Sequence, residues 1–435
     1  MKTSRSSLFA VGLILALGIA IGCYLAQSSG EKDRLSHVPS AEAAGAAPGG
    51  PPRTMMKDPA GTISNPYMYY AGTEALKPDE IRIVACGTGM PAARRGSAAA
   101  CFVIELGNGD KFLFDIGSGS MRNVMALNIP ADFLTRIFLS HLHTDHWGDL
   151  AGIWAGGWTG GRTKPLEVWG PSGAREDMGT KYAVENFLKA YNWDYVTRAV
   201  KVNSVPGQIT VHEFDFKGIN EEIYNENGVV IRSIPAIHAG DGPVSFILEW
   251  NGYKIVYAGD TAPNKWFMEH CRDADFIINE CMHTPEQLMK NYGQPAQRAM
   301  MMQDDIHTSA YAFGKIASEL NPRHAVAFHF FNEEGTRYGI FEAVRRTYDG
   351  PLSLACDLMV WNITRDKITE RMTIPVDNAW DVAGPTYPPN PDNKFPKQES
   401  EFTLSGRWQP AIEMEKEIFA PFLKKHGLAE PGARK

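Results

Sequence analysis

The chain has six cysteines and no CxxC pair. With Cys23 set aside, Cys86, Cys101, Cys271, Cys281 and Cys356 form an odd set without framework spacing, so buried free thiols are expected and not a disulfide scaffold. Basic runs are equally scarce. None exceeds Arg94-Arg95, and 43 Lys plus Arg against 50 Asp plus Glu leave a formal charge of −7. A nucleic-acid surface needs clustered positive charge to displace counterions, so no nucleic-acid partner is expected. No internal repeat is visible.

What is present is a globular chain. Its 435 residues, 44% of them hydrophobic, suffice for one large core or two ordinary ones. Residues 1–30 stand apart as a signal peptide or a membrane or lipid anchor. Lys2 and Arg5 precede an almost uncharged apolar stretch over 8–25, and Ala20-Ile21-Gly22-Cys23 is similar to a bacterial lipobox. Lipidation at Cys23, a retained anchor and a cleaved signal stay open. Each implies an exported, periplasmic or membrane-anchored protein, with membrane contact through this segment. Residues 31–79 read as a linker, with SAEAAGAAPGGPP at its centre, too poor in bulky apolar side chains to pack.

From residue 80 to 373 short apolar strands alternate with helix-length segments. IRIVAC, ACFVIEL, KFLFDIG, RIFLS, LEVWG, VVIRSIPAI, VSFILEW, YKIVYAG, FIINEC and AVAFHFF read as strands, with helices over 173–191, 308–319 and 341–348. Hairpin-like runs mixed with strand-helix units imply mixed sheets with helices outside, an α/β chain. Residues 374–435, rich in Pro, Asn and Trp, read as an extension wrapping the surface.

The densest chemistry is SHLHTDHWGDL, directly after the apolar Ile137-Phe138-Leu139. In an extended segment residues i and i+2 point the same way, so His141 and His143 can hold one metal ion together. Once the chain turns after Thr144, Asp145 and His146 face elsewhere and can hold another. Imidazole with carboxylate suits zinc or a similar borderline ion better than calcium or magnesium. A lone histidine is more often a core or surface residue, but four potential ligands within six residues reverse that preference.

This HxHxDH pattern resembles the metallo-β-lactamase-fold hydrolases, and the likeness runs over residues 81–365. It is nearest to the branch of ribonuclease Z and the arylsulfatase-like and phosphodiesterase-like enzymes. Gly87-Thr88-Gly89-Met90-Pro91 is similar to that branch's opening turn, and Phe114-Asp115-Ile116-Gly117 to the motif whose aspartate braces the metal loop. Val168-Trp169-Gly170-Pro171 matches its next strand end. The chain also resembles metallo-hydrolases of guanitoxin biosynthesis clusters, a likeness that defines no reaction.

The resemblance implies an αβ/βα sandwich and two metal sites. His238, Asp260 and His329 would join the first motif, so that one ion takes His141, His143, His238 and Asp260, and the other Asp145, His146, Asp260 and His329. Two zinc ions per chain are implied, with manganese or iron as substitutes. His307, which opens a helix, would be an acid or transition-state stabiliser outside the ligand set, and Asp145 and His307 are the expected catalytic residues.

Departures from the branch matter too. Phe330-Phe331-Asn332-Glu333-Glu334-Gly335-Thr336-Arg337-Tyr338 replaces its usual run after the last histidine, Asn279-Glu280 replaces a His-Glu pair, and no glycine/proline-rich basic arm lies between Gly170 and Val229. Trp147, Trp154 and Trp158 can line an aromatic pocket or pack in the core. The expected activity is hydrolysis of a phosphodiester or aryl sulfate in a small-molecule ester. A lactonase, a ribonuclease Z-like endonuclease and a non-catalytic member stay open. A flavodiiron-type oxidoreductase fits less well, because a resemblance to that group would put Glu, in an H-x-E-x-D-H motif, where His143 stands.

Overall fold

The computed structural model describes residues 65–92, 94–375 and 395–428. The apolar stretch over 8–25, Cys23 and the Pro/Gly/Ala-rich centre of the linker lie outside them. Among the described residues no helix is long and apolar enough to cross a membrane.

Sixteen strands are described. They are β1 (Met68–Tyr70), β2 (Ile81–Gly87), β3 (Cys101–Leu106), β4 (Lys111–Phe114), β5 (Arg136–Phe138), β6 (Leu166–Pro171), β7 (Ile209–Phe214), β8 (Glu221–Glu226), β9 (Val229–Pro235), β10 (Val244–Trp250), β11 (Tyr253–Tyr257), β12 (Phe276–Glu280), β13 (Ala325–Phe328), β14 (Leu352–Leu354), β15 (Met359–Ile363) and β16 (Ile368–Ile374). They form two mixed sheets, ordered β1-β16-β15-β2-β3-β4-β5-β6-β7 and β14-β13-β12-β11-β10-β9-β8.

Side-chain alternation explains the layering. In β2 every residue is buried, but Ile81, Ile83 and Ala85 face the second sheet while Val84 and Cys86 face helices. The inter-sheet core gathers Phe102, Phe114 and Phe138 from the first sheet with Phe246, Tyr257 and Phe328 from the second. Strands covered on both sides lose the polar alternation of a half-exposed sheet, which is why their sequences read as continuous apolar runs. Helices Leu150–Thr159 and Thr180–Ala190 cover the outer face of the first sheet, through Trp154, Trp158 and Val184. Helices Lys265–His270 and Ala310–Leu320 cover the second. This is the expected αβ/βα sandwich.

Both sheets contain a parallel run, β4-β5-β6-β7 and β11-β12-β13-β14. The loops leaving the carboxyl ends of such strands converge at one edge, the usual place for a site in an α/β sheet.

Local differences from the sequence reading have local causes. The stretch 173–191 begins with a 3-10 turn, and its helix starts only at Thr180. The helix expected over 341–348 begins earlier, at Glu334, because Glu333 and Thr336 form a reciprocal capping box. β1 falls inside the stretch read as linker, with Tyr69 buried beside Arg82. The tail forms helices Glu401–Ser405 and Gln409–His426, where only a wrapping segment was expected. Cys86, Cys101, Cys271, Cys281 and Cys356 are free thiols, as expected.

Candidate metal centre

Asp115 organises the loop after β5. It sits at the end of β4 in the left-handed region, φ 54°. Its carboxylate accepts from the backbone N of Ser140 (2.7 Å), Ser140 Oγ (2.7 Å), His146 Nδ1 (2.6 Å) and Tyr257 Oη (2.6 Å). A Cβ at Gly117 would stand 2.0 Å from the carbonyl oxygen of Asp145, so only glycine lets β4 and the loop approach this closely. His141 to His143 is extended, and a short helix, Thr144–Trp147, then turns Asp145 and His146 inward.

The structure brings all seven expected ligands together in two groups. In the first, His143 Nδ1 lies 3.1 Å from His141 Nε2 and 3.1 Å from His238 Nε2. These spacings match the edges of a tetrahedron whose centre is about 2 Å from each nitrogen, the zinc–imidazole distance. His238 Nδ1 lies 2.9 Å from the carbonyl oxygen of Ile306 and donates to it, which leaves the Nε2 lone pair for a cation. Burial holds His238 down to about 4 despite Asp260, and burial with the nearby His146 holds His141 well below the usual imidazole range.

The second group is Asp145, His146, Asp260 and His329. His329 Nε2 stands 3.2 Å from Asp145 Oδ2 and 3.1 Å from Asp260 Oδ2, and His146 Nε2 stands 3.2 Å from Asp260 Oδ1. Asp260 Oδ2 is also 3.8 Å from His238 Nε2, so this carboxylate lies between the groups. Burial would raise the Asp260 carboxyl, but His329 and His146 outweigh it and hold it well below the usual range. Burial would lower His146, yet Asp260 and Asp115 push it well above 6.5. His146 Nε2 and Asp260 Oδ1, although 3.2 Å apart, are not aligned as a hydrogen bond, and with Asp145 Oδ1 they are buried without a hydrogen-bond partner. Leaving such atoms unpaired is costly, and a cation among them satisfies all three. The donor set therefore fits a metal. His329 itself is held at φ 65° by its backbone bond to Thr88, strain of the kind that collects at functional sites.

His307 is adjacent to both groups, its ring 4.9 Å from that of His238 and 5.2 Å from that of His329. Its Nδ1 lies 2.7 Å from Glu280 Oε2. Burial and the charge of Asp260 push the Glu280 carboxyl well up, while burial pushes His307 down. Glu280, noted in the sequence only as a departure from the branch, and Tyr257, not noted at all, are the further polar groups that the structure ties to the site. The signal for Glu280 was a carboxylate ending the wholly buried strand FIINE, like Asp115 after FLF. Tyr257 gave no signal, being one more aromatic in an apolar strand.

A cavity of about 170 Å³ opens beside His141, His143 and His238, walled by Leu142, Pro171 and Met178. The tryptophans do not line it. Trp154 and Trp158 are fully buried and donate to the carbonyls of Gly207 and Asn203, and Trp147 packs against the same core. Of the two readings of these tryptophans, the structure supports core packing.

The family model of the beta-lactamase superfamily domain matches residues 111–330, about half of the chain. Among curated relatives, ribonuclease Z of Mycobacterium marinum is 28% identical over 257 residues, covering 58% of this chain and 86% of the relative. Ribonuclease Z of Methanosarcina mazei is 26% identical over 314 residues, covering 64% and 97%. Among solved structures, the metallo-beta-lactamase fold protein YhfI from Bacillus subtilis aligns with TM-score 0.49 at 18% identity, over 66% of this chain and all of that one. The short form of human tRNase Z aligns with TM-score 0.47 at 19% identity, over 65% and 98%. The matched family model covers the Asp115 brace and every residue of the two ligand groups, and the chain belongs to the beta-lactamase superfamily, as a hydrolase of the metallo-β-lactamase fold.

Proposed function

We propose that the protein is a dinuclear zinc hydrolase of small phosphodiester or aryl sulfate esters. The observation that carries the reading is the set of buried polar atoms without hydrogen-bond partners, Asp145 Oδ1, His146 Nε2 and Asp260 Oδ1, beside three converging imidazole nitrogens. His141, His143 and His238 would hold one ion, Asp145, His146 and His329 the other, with Asp260 shared. When bound, two such ions make hydroxide available near neutral pH and stabilise negative charge on the oxygens of the electrophile.

The protein's own groups do the rest. Asp145 would accept the proton of the attacking water at the carboxylate oxygen that the ion leaves free. Glu280 holds His307 through Nδ1, leaving Nε2 to donate a proton to the leaving oxygen or a hydrogen bond to the oxyanion. Leu142, Pro171 and Met178 exclude water from one side of the ester and suit an aryl or other apolar group.

Ribonuclease Z-like cleavage is the second reading, favoured by the similarity to the enzymes of that name. Metal analysis of the purified chain, with nitrophenyl phosphodiester, sulfate, phosphonate and lactone substrates assayed beside precursor transfer RNA, tests both. Two zinc equivalents with diester or sulfate turnover are expected. A metal-free chain, or turnover confined to lactones or RNA, overturns the proposal.

A further inference from the structure

Helix Gln409–His426 has no buried residue. An isolated helix of this length is marginal in water, because most helix stability in proteins comes from packing an apolar face. Pro421 inside it weakens it further by removing a backbone donor. Yet the helix carries such a face. Trp408, Ile412, Phe419, Phe422 and Leu423 recur at separations of three, four and seven, and Trp408 is 72% exposed and Phe422 57%.

Charge indicates what covers the stripe. Glu413, Glu415 and Glu417 crowd the first half, with Lys416 among them, while Lys424, Lys425 and His426 fill the last turn. That order also suits the helix dipole. The dipole does not account for Glu415, which falls inside the apolar stripe between Ile412 and Phe419. Two parallel copies would set Glu415 against Glu415. Antiparallel copies set it against Lys425 and His426, with Phe419 and Phe422 in the middle of the contact.

We propose that this helix pairs antiparallel with the same helix of a second copy of the chain, a self-complementary two-fold contact. A polar group in such a seam fixes register and orientation at some cost in stability, the role assigned here to Glu415. The helix is about 27 Å long, and this register overlaps roughly its last twelve residues, about 18 Å. One helix against another of that length is smaller than a standard interface, so the dimer should be reversible in the micromolar range.

Sedimentation velocity of the full chain from roughly 1 to 100 µM tests this. The expected result is a reversible monomer–dimer equilibrium. The double variant Phe419→Glu/Phe422→Glu should be monomeric throughout with an unchanged melting temperature, since both side chains are about half exposed among the described residues. Glu415→Lys should weaken the dimer roughly tenfold or more, and adding Lys425→Glu with His426→Glu should restore it. A wild-type chain that stays monomeric, a dimer that survives the double variant, or a Glu415→Lys defect that the second charge reversal leaves in place would each overturn the proposal. So would phosphatidylglycerol vesicles capturing the monomeric wild type but not the double variant, which would make the stripe a membrane-surface face.

Discussion

His146 Nδ1 and Asp115 Oδ2 lie 2.6 Å apart, and neither side chain reaches solvent. The contact fixes which nitrogen of His146 faces the carboxylates of Asp145 and Asp260. The same Asp115 carboxylate ties down Ser140 and Tyr257, so the loop on β5 is registered against both sheets through one side chain. Asp115→Asn keeps the shape but loses the charge and part of the acceptor capacity. Metal affinity should fall roughly 10- to 100-fold, the usual effect of removing a partner that orients a ligand. Titration with a chromophoric chelator measures it, and an unchanged affinity would remove Asp115 from this role.

Asp260 is the residue placed between the two groups. Wild-type chain should contain about two metal equivalents, as a two-metal hydrolase requires. Asp260→Ala should lower occupancy of both sites together, whereas His238→Ala should empty chiefly the first. Elemental analysis beside circular dichroism separates metal loss from unfolding. Full metal content in Asp260→Ala would end the bridging model.

His307 is bound through Nδ1 to Glu280. His307→Ala should retain metal while kcat falls roughly 10²- to 10⁴-fold, the scale of a general acid or base. Glu280→Gln should move the kcat pH profile, because Glu280 acts by setting the proton on His307, and a merely structural glutamate would lower kcat without moving the profile. Loss of metal from His307→Ala would instead make it a ligand, consistent with its place in a third group with Asp260, Glu280 and His329.

Much of this was legible because the informative signals were local. HLHTDH joins an extended pair to a helical turn in one stretch, and the strands near it are continuous apolar runs because both faces are covered. His238, Asp260 and His329 lie far apart in the chain and were placed by resemblance alone. Asp260 and His329 converge because they follow β11 and β13 of one parallel run, and His238 joins them from the end of β9, antiparallel to β10; no local pattern encodes that topology. Trp154 and Trp158 were ambiguous because indole serves pocket and core equally well, and the deciding contacts, to Gly207 and Asn203, are long-range. Helix Gln409–His426 was hidden by the Pro and Trp content of the tail around it.

Away from the site, Glu105 is buried between Lys111 at 2.6 Å and Arg82 at 3.5 Å. Burial would raise its carboxyl, but the two cations outweigh that and hold it below 4.5. A carboxylate depressed in the folded state stabilises above its unfolded pKa, and the contribution is lost as pH falls through the folded value. Glu105→Gln leaves Arg82 with less compensation and should cost about 3 kcal/mol at neutral pH. Thermal melts of wild type and variant should differ most at pH 7 and converge below the folded pKa. A gap independent of pH would show that packing and not charge is responsible.

The choice between small-ester hydrolase and ribonuclease turns on charge and location. An enzyme that processes transfer RNA meets it in the cytoplasm and holds many phosphates, so its binding weakens steeply with salt. This chain has a formal charge of −7, Lys2 and Arg5 ahead of an apolar run, and no basic arm between Gly170 and Val229. The proposal is therefore that residues 60–435 lie outside the cytoplasmic membrane and that turnover of a nitrophenyl diester changes little with ionic strength. A reporter fused after Lys435 reads the location, and paired assays with the diester and precursor transfer RNA at low and moderate salt read the preference. Cytoplasmic location together with efficient, salt-sensitive cleavage of the RNA would replace this reading with the ribonuclease one. Extracytoplasmic location with lactone turnover alone would keep the export signal and the metals and reject the ester class.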